Sequence, residues 1–296
     1  MNNRKVAFLG GDRRMATAAK YVAARGYSCT VWGMNEEWDT GDCLRCEEWK
    51  EALYGAGAVI LPMPVSEDGV RLFCPGLARI NPPRIQTLFE NLESSVYVSG
   101  GRITESIVAC AEKCGICVND YYSCEELQIR NAVPTAEAAV LLALQMMYVT
   151  IRDSRCAVIG FGRIGKYLSE LLRDMGASVT VAARKKRDLA SASSMGLDGI
   201  EILEDERNYG LEKLTKGFDL IVNTVPVRLI NRELIEKISP PTVIIDLASV
   251  PGGVDMQAAA EAGIKAEWGL ALPGRFFPES AGIIIGKTVL EMLENK

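Results

Sequence analysis

Cys156-Ala157-Val158-Ile159-Gly160-Phe161-Gly162-Arg163-Ile164-Gly165 is the stretch whose reading decides the fold. A short apolar run, Cys156–Ile159, enters three glycines spaced G-x-G-x-x-G, and a helical pattern over Ile164–Met175 leaves them. A strand that turns through glycine directly into a helix opens a βαβ unit, and in that context the spacing has a mechanism. Gly160 permits the tight turn, Gly162 lets the backbone approach a pyrophosphate, and Gly165 lets helix and strand pack closely. The helix N-terminus presents free N–H groups and a partial positive charge to the phosphates. A bare glycine-rich turn without ligand is the weaker reading, and a nicotinamide dinucleotide is expected here.

Outward from this loop, Val179–Ala182 reads as the next strand and ends in Ala182-Ala183-Arg184-Lys185-Lys186-Arg187. Sites for NAD place an Asp or Glu there to hold the ribose hydroxyls. This chain has no acid at that point and four cations instead, so Arg184, with Lys185 or Lys186 assisting, suits a 2′-phosphate. NADP is the expected cofactor, with NAD as the alternative. Strands follow at Leu220–Asn223, Val243–Asp246 and Lys265–Trp268, and a terminal helix at Ser280–Leu293. Ligands of open parallel sheets bind at strand carboxyl ends. The cofactor candidates are therefore Gly160, Gly162, Arg163, Ile164, Gly165, Arg184, Lys185, Asn223, Thr224, Pro226, Asp246, Ala248 and Ser249. Asp246 can instead cap a turn, and position alone assigns it no catalysis.

The first 130 residues repeat the alternation, with strands expected at Val6–Leu9, Cys29–Trp32, Val59–Leu61, Val96–Val98 and Ile116–Val118. Helical patterns lie at Ala16–Ala24, Ile85–Leu92 and Glu105–Lys113, and this alternation means a parallel sheet with crossovers. Gly10-Gly11-Asp12-Arg13-Arg14 follows the first strand but lacks the third glycine. It reads as a helix start carrying arginines, suited to a carboxylate-bearing substrate. Substrate-binding candidates are Arg14, Ser99, Gly100, Asn131 and Thr135. Pro134-Thr135-Ala136-Glu137 reads as the start of a long apolar helix. The expected architecture is α/β: residues 1–133 on the substrate side, with a terminal helix over 280–296 packing back on it, and residues 134–279 as the dinucleotide domain. Both are read as Rossmann-like parallel-sheet domains with a cleft between them.

Composition narrows the chemistry. The 296 residues contain no histidine, which excludes Ser-His-Asp and Cys-His hydrolysis and every imidazole-dependent dehydrogenation. A formal net charge of −5 argues against a nucleic-acid binder. Nine cysteines, an odd number, read as free thiols. The pairs Cys43/Cys46 and Cys114/Cys117 are read as packing thiols, with no metal expected. Met1–Lys5 runs straight into Val6–Leu9, too little for a signal core, and no run is long enough to span a bilayer. A cytoplasmic, oligomeric protein with no membrane association is expected.

The residues together resemble the family of dipicolinate synthase A subunits. The resemblance is carried by Gly10-Gly11-Asp12 with Arg14, Ile60-Leu61-Pro62, Ser99-Gly100, Asn131 to Glu137, the Gly160–Gly165 loop and Asn223-Thr224 with Pro226. Its most specific part is Asp246-Leu247-Ala248-Ser249-Val250-Pro251-Gly252-Gly253-Val254-Asp255, completed by Leu272-Pro273-Gly274, Pro278 and Ala281-Gly282. The resemblance implies NADP-dependent oxidation of dihydrodipicolinate to dipicolinate in bacterial sporulation, on a branch from the lysine/diaminopimelate pathway, together with the B subunit of the synthase. A cyclic dicarboxylate suits Arg14. Its aromatisation needs chiefly positioning and a modest base, for which Glu137, Asp120 and Tyr121 are all candidates. The alternatives are another NADP oxidoreductase of the alanine dehydrogenase or 2-ketoacid reductase type, and a non-catalytic, nucleotide-binding regulatory protein of the same complex.

Overall fold

Val6, Ala7, Phe8 and Leu9 alternate no polar side chain among them, and all four are buried in β1 (Lys5–Leu9) of the computed structural model. A strand apolar on both faces belongs inside a parallel sheet covered by helices on both sides, and each fully buried large side chain contributes about 1.5–3 kcal/mol. The structure describes residues 5–76, 81–203 and 210–295. Residues 1–4 and Lys296, on which the reading of the two chain ends bears, lie outside the described residues.

After β1 come α1 (Arg13–Ala23), β2 (Ser28–Trp32), β3 (Leu44–Arg45), α2 (Trp49–Leu53), β4 (Ala58–Ile60), α3 (Ile85–Glu90), β5 (Tyr97–Gly100), α4 (Glu105–Lys113) and β6 (Val118–Asp120). A 3-10 turn at Tyr121–Ser123 leads into α5 (Glu125–Met146). The second series is β7 (Arg155–Ile159), α6 (Arg163–Asp174), β8 (Ser178–Ala183), α7 (Lys186–Ser194), β9 (Asp198–Glu201), β10 (Leu220–Asn223), α8 (Arg232–Ile235), β11 (Val243–Asp246), α9 (Met256–Glu261) and β12 (Lys265–Trp268). Two helices close the chain, α10 (Leu272–Phe276) and α11 (Pro278–Glu294).

The strands form two six-stranded parallel sheets, ordered β3-β2-β1-β4-β5-β6 and β9-β8-β7-β10-β11-β12. Both follow the doubly wound order, which reverses direction once, between β1 and β4 and between β7 and β10. The fold is therefore two Rossmann-like α/β domains. The chain divides into two compact units, residues 1–131 with 273–296, and residues 132–272. Among the described residues no helix is long and apolar enough to cross a membrane.

Several elements depart from the sequence reading. The helix expected to start at Pro134 begins at Glu125, so Pro134 is interior. An interior proline removes one ladder hydrogen bond; burial of Leu127, Ala132, Ala136, Ala138, Ala139 and Leu142 along the helix offsets that loss. The strand expected at Ile116–Val118 lies two residues later. Pairing of Val98 with Val118 and Gly100 with Asp120 sets its register, while Ile116 is buried at the foot of α4 with its amide on the Ala111 carbonyl, 2.9 Å. Strands β3 and β9 have no apolar periodicity to announce them. Each is an edge strand held by its neighbour, β2 or β8.

Helix α11 lies on α1 within the first unit. Gly282 and Gly286, four residues apart and so on one face, make the approach possible. A Cβ on Gly282 would come within 2.5 Å of the Arg14 carbonyl oxygen and of Thr17 Cβ, and one on Gly286 within 2.9 Å of Tyr21 Cβ. The Arg13–Glu279 pair at 2.6 Å and the Arg130–Glu291 pair at 3.3 Å are largely exposed and contribute little. Gly282→Ala is therefore expected to destabilise the chain by about 1–3 kcal/mol through overpacking, read as a lowered midpoint in urea. Ile283→Ala, on an exposed position of the same helix, is expected to leave that midpoint in place.

Candidate functional site

The loop between β7 and α6 uses its three glycines in three different ways. Gly160 has φ +92°, the left-handed region that favours glycine, and a Cβ there would meet Thr224 Oγ1 at 2.4 Å. A Cβ on Gly165 would lie 2.2 Å from the Gly160 carbonyl oxygen, so only glycine lets this helix start so close to its strand. Gly162 differs: a side chain there would meet nothing within 4 Å. Its backbone faces open space at the cap of a twelve-residue helix, and no side chain caps that helix. A helix dipole and an approachable backbone, with no side-chain cap, together fit a pyrophosphate. Arg163 is exposed and Ile164 half-buried beside it.

At the end of β8, Ala182 and Ala183 are buried, and Arg184, Lys185, Lys186 and Arg187 are exposed. No side chain caps α7 at Lys185. The nearest acid, Asp188, sits inside the first turn of α7, 3.4 Å from Arg187 Nε. The strand end thus presents cations where a ribose-binding carboxylate would otherwise stand.

Two of the expected cofactor contacts prove to be internal. Asn223 and Asp246 end the neighbouring strands β10 and β11 and are buried. Asn223 Nδ2 donates to Asp246 Oδ1 at 2.7 Å and to the Val225 carbonyl at 2.9 Å. Asp246 Oδ1 also accepts from the Ala248 amide at 3.1 Å, and Oδ2 accepts from Gly253 and Val254 at 2.7 and 3.1 Å. A buried carboxylate with four donors has no lone pair to spare for a ligand. Asp246 and Asn223 therefore shape the loops that follow β10 and β11, and direct contact by their side chains is corrected to this supporting role. Ala248 is buried as well, its carbonyl accepting from Trp268 Nε1 at 2.8 Å. Thr224 donates through Oγ1 to the Ile159 carbonyl at 2.9 Å and packs under Gly160. Pro226 and Ser249 are exposed on those loops.

In the first unit the corresponding loop is closed. Gly10 and Gly11 have φ +67° and +90°, but their amides are bound to the Trp32 and Phe73 carbonyls, each at 2.7 Å. A Cβ on Gly10 would strike the Phe73 carbonyl oxygen at 2.7 Å and Cys74 Sγ at 2.8 Å. Asp12 caps α1, accepting from the Arg14 amide at 3.0 Å. An acid at the helix start, with the loop amides used, cannot hold a phosphate. Asp12 instead grips Arg14: Nε lies 2.9 and 3.0 Å from the two carboxylate oxygens and Nη2 2.8 Å from Oδ2. Nη2 also donates to the Met63 carbonyl at 2.6 Å. Among the described residues nothing pairs with Nη1 of this buried, pre-oriented guanidinium.

Other expected site residues are used by the fold. Ser99 is fully buried and donates to the Asn119 carbonyl at 2.9 Å, and Gly100 is a packing glycine whose Cβ would meet Val65 at 2.5 Å. Both are corrected from substrate contacts to sheet packing. Tyr121 is buried, donates to the Leu61 carbonyl at 3.1 Å, and burial pushes its phenol well above the usual range. It is unsuited to act as a base. Asp120 accepts from the amides of Tyr122 at 2.8 Å, Arg102 at 3.1 Å and Ile103 at 3.0 Å, which commits its carboxylate to two turns. Glu137 is exposed on α5, Thr135 buried and Asn131 half-buried on the same helix. Asp12 and Gly253, whose Cβ would fall 2.2 Å from Asn223 Nδ2, lie in stretches the sequence singles out, as does Met63 after β4; the structure adds their roles, Asp12 and the Met63 carbonyl in orienting Arg14 and Gly253 in packing beside Asn223. Among the described residues no three Cys, Asp or Glu side chains cluster as a metal site.

Comparison with known proteins agrees with this division. Residues 5–122 match the family of the N-terminal domain of the dipicolinate synthase A subunit, and residues 137–262 match "Alanine dehydrogenase/PNT, C-terminal domain". The dipicolinate synthase A subunit of Bacillus subtilis is 36% identical over 169 residues, a match spanning 57% of this chain and 55% of that protein. The crystal structure of the dipicolinate synthase A chain from Bacillus subtilis superposes with a TM-score of 0.86 at 26% identity, covering 100% of this chain and 97% of that one. The A-subunit structure from Bacillus halodurans gives 0.87 at 23% identity over 98% and 97% of the two chains. The second unit is thus a dehydrogenase-type domain for a nicotinamide dinucleotide. The first belongs to the N-terminal domain family of dipicolinate synthase A subunits, and the chain as a whole is a relative of those subunits in sequence and fold.

Proposed function

We propose that this chain oxidises dihydrodipicolinate to dipicolinate (pyridine-2,6-dicarboxylate) with NADP⁺, acting with the B subunit of dipicolinate synthase in the cytoplasm of a sporulating bacterium. One observation carries the reading: a single chain holds both an open glycine cradle at the N-terminus of α6 and a buried, carboxylate-oriented guanidinium at the carboxyl end of β1. The cradle suits a dinucleotide pyrophosphate. Arg184 and Lys185 would hold the 2′-phosphate, by bidentate and point-charge contacts respectively. Arg14, oriented by Asp12 and the Met63 carbonyl, would hold one substrate carboxylate.

The bound nicotinamide supplies the hydride acceptor. The substrate ring gives up that hydride and one proton and becomes an aromatic pyridine, so the residues of this chain need chiefly to orient it and to receive the proton. Of the three candidate bases, Tyr121 and Asp120 are engaged within the fold, and Glu137 is the carboxylate left for that task. The absence of histidine is no obstacle to a step of this kind.

The direct test is NADPH formation at 340 nm with NADP⁺ and freshly generated dihydrodipicolinate, with and without the B subunit. A rate that appears only with the partner is expected. Tight NADP⁺ binding with no rate under either condition would instead favour a regulatory, non-catalytic role. Arg184→Glu is expected to lower the preference for NADP⁺ over NAD⁺ at least tenfold, the loss of about 1.5–3 kcal/mol that a hydrogen bond to a charged group contributes; competitive binding of the two cofactors measures it. The glycines separate binding from folding. Gly162→Val is expected to abolish NADPH binding, followed by nucleotide fluorescence, while leaving the thermal midpoint within a degree or two, about 0.5 kcal/mol. Gly165→Ala, which must push against the Gly160 carbonyl, is expected to lower both.

A further inference from the structure

Arg102 has φ +56°, a left-handed backbone that an L-residue with a long side chain rarely adopts. Strain of this kind persists where the surroundings over-determine it, and it clusters at ligand clamps. The surroundings here are explicit. The amides of Arg102 and Ile103 both donate to the Asp120 carboxylate, at 3.1 and 3.0 Å. The amide of Gly101 donates to the Pro62 carbonyl at 3.1 Å. A Cβ on Gly101 would come within 2.6 Å of Met63 Cβ and of Tyr121 Cε2. A turn clamped on both sides thus delivers a side chain that is exposed and, among the described residues, has no partner.

Its position matters as much as its strain. In the first sheet β4 lies between β1 and β5, and the pairs Phe8↔Ile60 and Ile60↔Ser99 bring all three strands to the same level at their carboxyl ends. With neighbouring strands about 4.8 Å apart, β1 and β5 end about 10 Å from one another. Arg14 follows β1 and Arg102 follows β5, and Met63, after β4, touches both turns: its carbonyl accepts from Arg14, and its side chain packs on Gly101. Charge completes the argument. Asp12 already neutralises Arg14, so a dianion bound there would find no net positive charge from that pair alone. Arg13 is paired with Glu279. Arg102 brings a second guanidinium to the same edge of the sheet, one that makes no ion pair among the described residues, although the Asp120 carboxylate sits on its backbone amide.

We propose that Arg102 binds the second carboxylate of a cyclic dicarboxylate whose first carboxylate is held by Arg14, so that the two arginines select dicarboxylates over monocarboxylates. This inference rests on the function proposed above and adds a specificity residue to it.

The test is calorimetric titration of the full chain, with and without NADP⁺, by pyridine-2,6-dicarboxylate and by pyridine-2-carboxylate. The wild-type chain is expected to bind the dicarboxylate at least tenfold tighter. Arg102→Gly suits the left-handed backbone, so the fold keeps or gains stability while the guanidinium is lost. That variant is expected to bind the dicarboxylate at least tenfold more weakly, to bind the monocarboxylate as the wild type does, and to show no fall in thermal midpoint. Arg102→Lys should recover part of the difference. A wild-type chain that discriminates, beside an Arg102→Gly chain that discriminates equally well, overturns the role of Arg102 and leaves the proposed function standing. Equal weakening of both acids also overturns it, since the residue would then not be selecting the second carboxylate. A wild-type chain that binds neither acid overturns the proposed function, and this inference with it.

Discussion

The approach of Gly165 to the Gly160 carbonyl, where a Cβ would come to 2.2 Å, is the contact on which the second domain depends. It lets α6 begin directly over the carboxyl end of β7, with no side-chain cap and with open space where a side chain on Gly162 would lie. Everything else expected of that domain, from the cations after β8 to the loops after β10 and β11, is arranged around that edge of the sheet. A single methyl group at Gly165 would separate helix from strand and dissolve the geometry, whereas one at Gly162 would fill only the space a ligand needs.

The two domains make an instructive pair because they share a strand order and differ in what the first turn does with its amides. In the second domain no side chain caps the helix. In the first, Asp12 caps α1 and the Phe73 carbonyl takes the Gly11 amide, which cancels the positive end of the helix and hands its electrostatic work to a guanidinium. One backbone plan thus yields an uncapped, open glycine turn in one copy and an oriented arginine in the other, and the difference is one acidic residue together with the loop that covers the turn.

Buried polar groups do the quieter part of the work. Asp246, with four donors on two oxygens, ties the loops after β10 and β11 to one another, and a carboxyl group so deeply buried is tolerable because its oxygens are engaged by hydrogen bonds. Asp120 does the same for the turns at Arg102 and Tyr122. Both residues end strands; in the sequence Asp246 reads as a cofactor contact and Asp120 as a candidate base. Their chemistry is to hold loops at the carboxyl edges in one conformation, which is what a site needs in order to bind without reordering itself.

Much of this was legible in the chain of residues. Uninterrupted apolar runs such as Val6–Leu9 and Cys156–Ile159, flanked by glycine turns and helical patterns, read as buried parallel strands, the G-x-G-x-x-G spacing between strand and helix has a mechanical reading, and the end of β8 is acid-free and rich in cations. Composition alone excluded histidine chemistry. What lay beyond the sequence depended on partners distant along the chain. The start of α5 was hidden because Pro134 resembles a first-turn proline, and only tertiary burial around it makes an interior position tolerable. Whether Asp246, Ser99 or Tyr121 faces a ligand or the interior is decided by which groups the fold brings against them: Gly253 from seven residues on, Asn119 from the neighbouring strand, Leu61 from sixty residues away. The sequence by itself determined the layers, the phosphate loop and the charge at its rim, because those follow from local periodicity and from glycine stereochemistry. Only the tertiary structure decided which polar side chains remain open at the site, because a hydrogen bond between residues remote in sequence leaves no local trace.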